Sequence, residues 1–148
     1  MSQISTLNSL IETLKDGQQG FHEASEEVEA PELKSVLSEY SEQRANYATE
    51  LQGLAKALGE PSPTDTGSVM GAIHRGWIEL KAAIATRNAY AILSECERGE
   101  DSAVSEYEKA LKDTAISTFL RETVTTQYNA IRAAHDRIRS LRDSLAPR

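Results

Sequence analysis

Residues 59–68 read GEPSPTDTGS, and the fold turns on them. Gly59, Pro61 and Pro63 cannot continue a helix, while the next Asp and Thr residues are helix-capping types, so the stretch reads as a loop. Long helical patterns lie on both sides of it. A shorter helical pattern comes directly after the loop, so the second and third long helices are joined by an extended connection.

Working outward, apolar residues recur at spacings of three and four rather than two, and strong helix formers dominate, which predicts helices and no strand. A first helix is expected over about residues 5–29, with Leu7, Leu10, Ile11, Leu14, Phe21 and Val28 on one face, broken by Ala30-Pro31. Pro31 suits the first turn of a second helix, which turns Leu33, Val36, Leu37, Tyr40, Tyr47, Leu51, Leu54 and Leu58 inward and stops at Gly59. The shorter helix is expected over about residues 67–85, with Met70, Ile73, Trp77, Leu80 and Ile84 on one stripe. A change of register near Thr86-Arg87-Asn88 leads to a fourth segment over 89–112, carrying Leu93, Val104, Tyr107 and Leu111 inward. The last, over 116–145, uses Phe119, Leu120, Val124, Ile131, Ala134, Ile138, Leu141 and Leu145.

Two long helices, a connection holding a short helix, then two more long helices is the order of an all-α, ferritin-like four-helix bundle with one crossover; up-down-up-down bundles lack that span. The 148 residues, 39% apolar, suit a single domain spanning 1–148. DGQQGF in the first helix and CERGED in the fourth segment match loosely, as two decayed halves would.

The formal charge of −7 argues against general nucleic-acid binding, which needs a basic footprint. No apolar run approaches the roughly 18–20 residues that span a bilayer, and MSQISTLNSLIETLKDG lacks the basic start and apolar stretch of a secretion signal. A cytoplasmic protein without membrane contact is expected. A lone cysteine, Cys96, fits a reducing compartment.

LIETLKDGQQGFHEASEEV, EQRANYATEL, GSVMGAIHRGWIELKAAI, ILSECERGEDSAVSEYEKAL and AAHDRIRSLRD together cover nearly the whole chain. On these segments, HRGW and ECERGED above all, it resembles an uncharacterised bacterial family of ferritin-like four-helix proteins, classed as a domain of unknown function and seen in stress-related gene sets. The resemblance implies a fold and no reaction. Relatives by fold often hold two metal ions.

A di-iron centre takes a carboxylate from each of two helices and a Glu-x-x-His pair from each of the other two, because a spacing of three puts both ligands on one face. No Glu-x-x-His occurs in this chain. At the inward polar positions stand Gln18, Arg44, Glu97, Glu100 and Gln127; Arg44 comes three residues after Ser41, and Gln127 precedes Ala130 by three. An arginine repels a cation and competes for its carboxylates. The expectation is a structural network in which Arg44 pairs with Glu97, Glu100 or both, with Gln18 and Gln127 completing the hydrogen bonds, and no catalytic residue, metal or cofactor. The alternative, reached if the helical phase shifts by a residue or two, is an iron-binding oxidase or iron-handling protein using Glu23, Glu42, Glu97 and Glu100.

His74, Arg75 and Trp77 on the crossover form the candidate contact surface, with Trp77 read foremost as a core anchor. His22 stands four residues before Glu26, a spacing that suits a surface metal ion but reads first as a solvated pair. His135, next to Asp136, reads as a flank residue bonded to a neighbour. Cys96 beside Glu97 reads as a small apolar core residue, since acidic neighbours raise a thiol's pKa. DGQQG and GSVMG lack the lysine and the strand–turn–helix setting of a phosphate loop. Acids crowd HEASEEVEAPEL, whereas Arg132, Arg137, Arg139, Arg142 and Arg148 load the last helix. The plain reading of this asymmetry is surface pairing of an acidic helix with a basic one, and the functional reading is self-association as a homodimer. The stress association that the resemblance implies adds the expectation that the surface around HRGW binds another copy or an unidentified protein partner.

Overall fold

The computed structural model describes residues 3–61, 63–64, 77 and 79–146. Among these the chain is all helical: α1 (Gln3–Glu27), α2 (Pro31–Ala57), the short α3 (Leu80–Ala85), α4 (Ala89–Lys112) and α5 (Thr118–Ser144). None of them is long and apolar enough to cross a membrane. Of the stripe expected for the shorter helix, Met70 and Ile73 lie outside the described residues, as do His74 and Arg75.

Helix ends obey local chemistry. α1 stops before Ala30, whose extended backbone precedes Pro31, a first-turn proline that starts α2 without sacrificing an intrahelical bond. α2 runs out at Ala57, and Gly59 follows two residues later with φ of 102°, a conformation open to a residue without a Cβ. Arg87, at φ of 55°, ends the turn after α3. The Asn88 side chain then caps α4, accepting from Tyr90 N at 2.9 Å and Ala91 N at 3.3 Å. Ser117 caps α5 by accepting from Leu120 N at 3.3 Å.

α1 packs along α2, α4 along α5, and α1 against α4. Thr6, near the start of α1, donates to Asp113 Oδ2 beyond the end of α4 at 2.7 Å, and Ser117 N donates to Gln3 Oε1 at 2.7 Å. α1 and α4 are therefore antiparallel, and α2 and α4 run the same way. That is why the chain between them must travel the length of the molecule.

The apolar core comes in two blocks. One gathers Leu7, Leu10, Ile11, Leu14, Leu51, Tyr107, Leu120 and Ile131; the other gathers Phe21, Leu37, Tyr40, Leu80, Ile92, Leu93, Cys96 and Ile138. Between the blocks lies a polar layer containing Arg44 and Glu100. Phe119, Leu58 and Leu145, expected to face inward, are exposed at 65%, 44% and 42%. Each lies within two residues of a helix end. A spacing pattern fixes the face of a helix on which a residue lies, but not whether a neighbour reaches that level.

Candidate functional site

The polar layer is built around Arg44, which is 1% exposed and yet charged. Its Nη2 donates to Glu100 Oε2 at 2.7 Å while Nη1 donates to Oε1, a two-pronged contact that joins α2 to α4. Glu100 is fully buried. Burial alone would lower the pKa of Arg44; the charge of Glu100 and its hydrogen bonds outweigh that and raise it. Arg44 Nε donates to Gln43 Oε1 at 3.1 Å. The guanidinium passes beside Gly17, where an added Cβ would lie 3.4 Å from Nη1.

Arg44 was expected to take Glu97, Glu100 or both, and it takes Glu100. Residues three apart on a helix point about 60° away from one another, so Glu97 is carried off the centre toward α5. There its Oε2 lies 2.5 Å from Arg142 Nη1 and its Oε1 3.5 Å from Arg139 Nε. Gln127 lies a little further along, bonded to other partners: Tyr107 Oη donates to its Oε1 at 2.7 Å, and its Nε2 donates to Glu50 Oε1 at 2.7 Å. Burial pushes the Tyr107 hydroxyl far above its ordinary pKa, which keeps it a neutral donor. Gln18 is half-buried, and its Oε1 has no hydrogen-bond partner among the described residues. Sequence spacing placed these residues near one layer but could not divide them into two hydrogen-bonded sets. The sequence marked Tyr107 only as an inward residue of its helix and gave no sign of Glu50.

An aromatic stack closes one side of the pair. The Arg44 guanidinium lies over the Phe21 ring, 5.2 Å from its centroid, and Phe21 meets Trp77 edge to face with centroids 5.2 Å apart. Trp77 enters from the crossover and is held between α1 and α4 by two glycines. A Cβ at Gly20 would lie 2.3 Å from Trp77 Cε3, and one at Gly99 would lie 2.2 Å from Trp77 Cε2. DGQQGF and CERGED, the loosely matching stretches, each supply one wall of this slot. Beside it opens a cleft of about 340 Å³ lined by Asp16, Gln19, Gly20, Glu23, Trp77, Leu80 and Lys81.

The carboxylates of the alternative metal set have different surroundings. Glu42 is exposed, Glu23 lines the cleft, Glu97 pairs with Arg142, and Glu100 is occupied by Arg44. His22 is exposed, with its Nε2 3.2 Å from Glu26 Oε1. Cys96 is fully buried, and burial, reinforced by Glu100 and Glu95, raises its thiol pKa well beyond the range in which it would react as a thiolate. His135, by contrast, is buried and touches two carboxylates: Asp101 Oδ1 is 2.6 Å from Nε2, and Asp136 Oδ1 is 3.1 Å from Nδ1.

Fold and site thus define an all-helical protein whose core is divided by a buried arginine–glutamate pair and wedged by one tryptophan. The chain belongs to the family described as Domain of unknown function (DUF2383), which matches residues 2–113. No curated protein matches it.

Proposed function

We propose that this protein is a non-enzymatic, ferritin-like four-helix bundle, with a short helix in the long crossover, whose central di-metal position has been taken over by an ion pair. The observation that carries this reading is the fully buried, two-pronged Arg44–Glu100 contact. The guanidinium supplies at the centre the positive charge that metal ions would supply, and it occupies the carboxylate a metal would need. Gln127, where a carboxylate would be wanted, is engaged by Tyr107 and Glu50.

The surfaces then carry the role. In a stress-associated bacterial protein of the cytoplasm, that role is self-association or docking to another protein. The support is charge: Glu26, Glu27 and Glu29 are exposed at one end of the α1–α2 hairpin, and Arg137 and Arg139 are exposed on α5. Sedimentation showing only monomer at micromolar concentration, at every salt level, would remove the dimer.

The test of the central claim is anaerobic loading with ferrous iron, desalting, and admission of air. The expected result is no oxo-bridged absorption band. Two retained irons per chain with that band would overturn the reading and restore the alternative of an iron oxidase or iron-handling protein.

A further inference from the structure

We propose that Glu97 and Asp101 of α4 and His135 of α5 form a binding site for one borderline divalent cation of the zinc class, outside the central layer. One ligand atom from each of the three lies within 4.8 Å of the others. Glu97 and Asp101 are four apart on α4 and so share a face, and His135 is presented by the neighbouring helix.

The arrangement of the imidazole is what points to a cation. Each ring nitrogen faces a carboxylate oxygen, Asp136 on the Nδ1 side and Asp101 on the Nε2 side. A neutral imidazole has one N–H. With that proton on Nδ1 and donated to Asp136, Nε2 presents a lone pair to carboxylate oxygens; a second proton or a metal cation between them turns repulsion into attraction, and of the two the metal also engages Glu97. A histidine whose second nitrogen donates to a carboxylate is the usual support for a metal-bound imidazole, since it fixes the tautomer and the ring. Asp136 has that role here.

The arginines do not close the site. Glu97 keeps Arg142 on Oε2 at 2.5 Å, while the contact of Oε1 with Arg139 is 3.5 Å and Arg139 is 52% exposed. A carboxylate has lone pairs on both oxygens, so Oε1 can turn to a metal while Arg142 holds the other. The Asp101 side chain is 61% exposed and that of His135 is 9% exposed, which gives an open entry side and a fixed anchor. One nitrogen and two carboxylate oxygens suit zinc-like ions with water as a fourth ligand, at metal–ligand distances of about 2.0–2.2 Å. His135 and Asp101 then open from 2.6 Å to roughly 3.3 Å, a side-chain adjustment. The site is independent of the proposed function, because filling it leaves Arg44 and Glu100 untouched.

The test is titration of tag-free, chelator-treated protein with Zn²⁺ by calorimetry, and with Co²⁺ by visible absorption. The expected result is one ion per chain, with cobalt d–d bands. His135→Asn and Asp101→Asn should each weaken binding at least tenfold, while His22→Asn leaves it unchanged. Asp101 is exposed, so Asp101→Asn keeps the fold, as circular dichroism would verify. Absence of binding in the wild type, affinity retained in Asp101→Asn, or loss in His22→Asn would each overturn the proposal.

Discussion

Adding one methyl group at Gly20 or Gly99 should expel Trp77 from its slot. Carbon atoms in contact sit about 3.5–4.0 Å apart, whereas a Cβ at these positions would stand 2.3 Å and 2.2 Å from indole carbons. The overlap exceeds 1 Å from either side, and the opposite wall is helix backbone, so the ring cannot slide away within the slot. Leaving it forfeits the edge-to-face contact with Phe21, about 0.5–1.5 kcal/mol, and the packing of a half-buried indole. Together these amount to about 2–4 kcal/mol, toward the low side of an aromatic deletion. Replacing a mid-helix glycine by alanine returns about 0.5–1 kcal/mol. Gly20→Ala and Gly99→Ala should therefore each destabilise by about 1–3 kcal/mol.

The informative measurement is the sign in a second background. In Trp77→Ala the slot is empty, the overlap is gone, and Gly20→Ala should stabilise by about 0.5–1 kcal/mol through helix propensity alone. Denaturant unfolding of the four proteins gives the cycle. Trp77 is the chain's single tryptophan, so its emission reports the slot directly and should shift to the red in Gly20→Ala. Gly53, on α2 with nothing within 4 Å of its would-be Cβ, is the control, and Gly53→Ala should stabilise in either background. Equal destabilisation by Gly20→Ala with and without Trp77, or an unchanged emission spectrum, would refute the slot.

The charged groups yield two further outcomes. Arg44→Ala should lose about 3–5 kcal/mol by leaving Glu100 buried and unpaired, while the joint replacement Arg44→Met with Glu100→Leu should be near neutral or better; thermal unfolding checks both, and additive losses in the double variant would contradict the pairing. At the α1–α4 end, the hydrogen bond from Thr6, and then that from Ala115 N, holds the Asp113 carboxyl below its ordinary pKa. A depressed folded pKa means the contribution is present above the unfolded value of about 3.9 and is lost as pH falls through the folded value. The melting difference between wild type and Thr6→Val should accordingly be full at pH 7 and shrink in acid; a difference constant down to pH 2 would contradict the assignment.

Much of the architecture could be read from the chain because it rests on local rules. Pro31 and Gly59 mark helix ends through the conformations they favour, and the spacing of Leu7, Leu10, Ile11 and Leu14 marks a buried face. The site was legible only in part. Arg44 and Glu100 stand out because charge at an inward phase demands a partner, but which of Glu97 and Glu100 answers depends on an angle of about 60° that helical spacing barely resolves. The grouping of Asp101 with His135 crosses from one helix to another at a level no single-helix pattern encodes. Gly20 and Gly99 gave no sign of the slot, because it exists only when Trp77, from another part of the chain, is set between them.

A buried ion pair needs a reason beyond stability, since apolar side chains of the same size would hold the layer as well or better. The geometry of this pair suggests one. α2 and α4 run in the same direction and are separated in sequence by the whole crossover, so no tight turn fixes how far one slides along the other. Two apolar blocks on either side of the layer would tolerate a shift by one turn, because leucine and alanine positions recur at that interval. The two-pronged contact does not, since a displacement of one turn, about 5.4 Å, would bury Arg44 among apolar side chains and strand Glu100. Trp77 sets the alignment of α1 with α4: its slot exists only where Gly20 and Gly99 stand level, and Phe21 links the indole to the guanidinium. A charged lock in the middle of the core and an aromatic wedge beside it thus select a single register, and the Arg44→Met with Glu100→Leu protein, if it keeps its melting temperature, should show the loss of that lock as broadened core resonances rather than as unfolding.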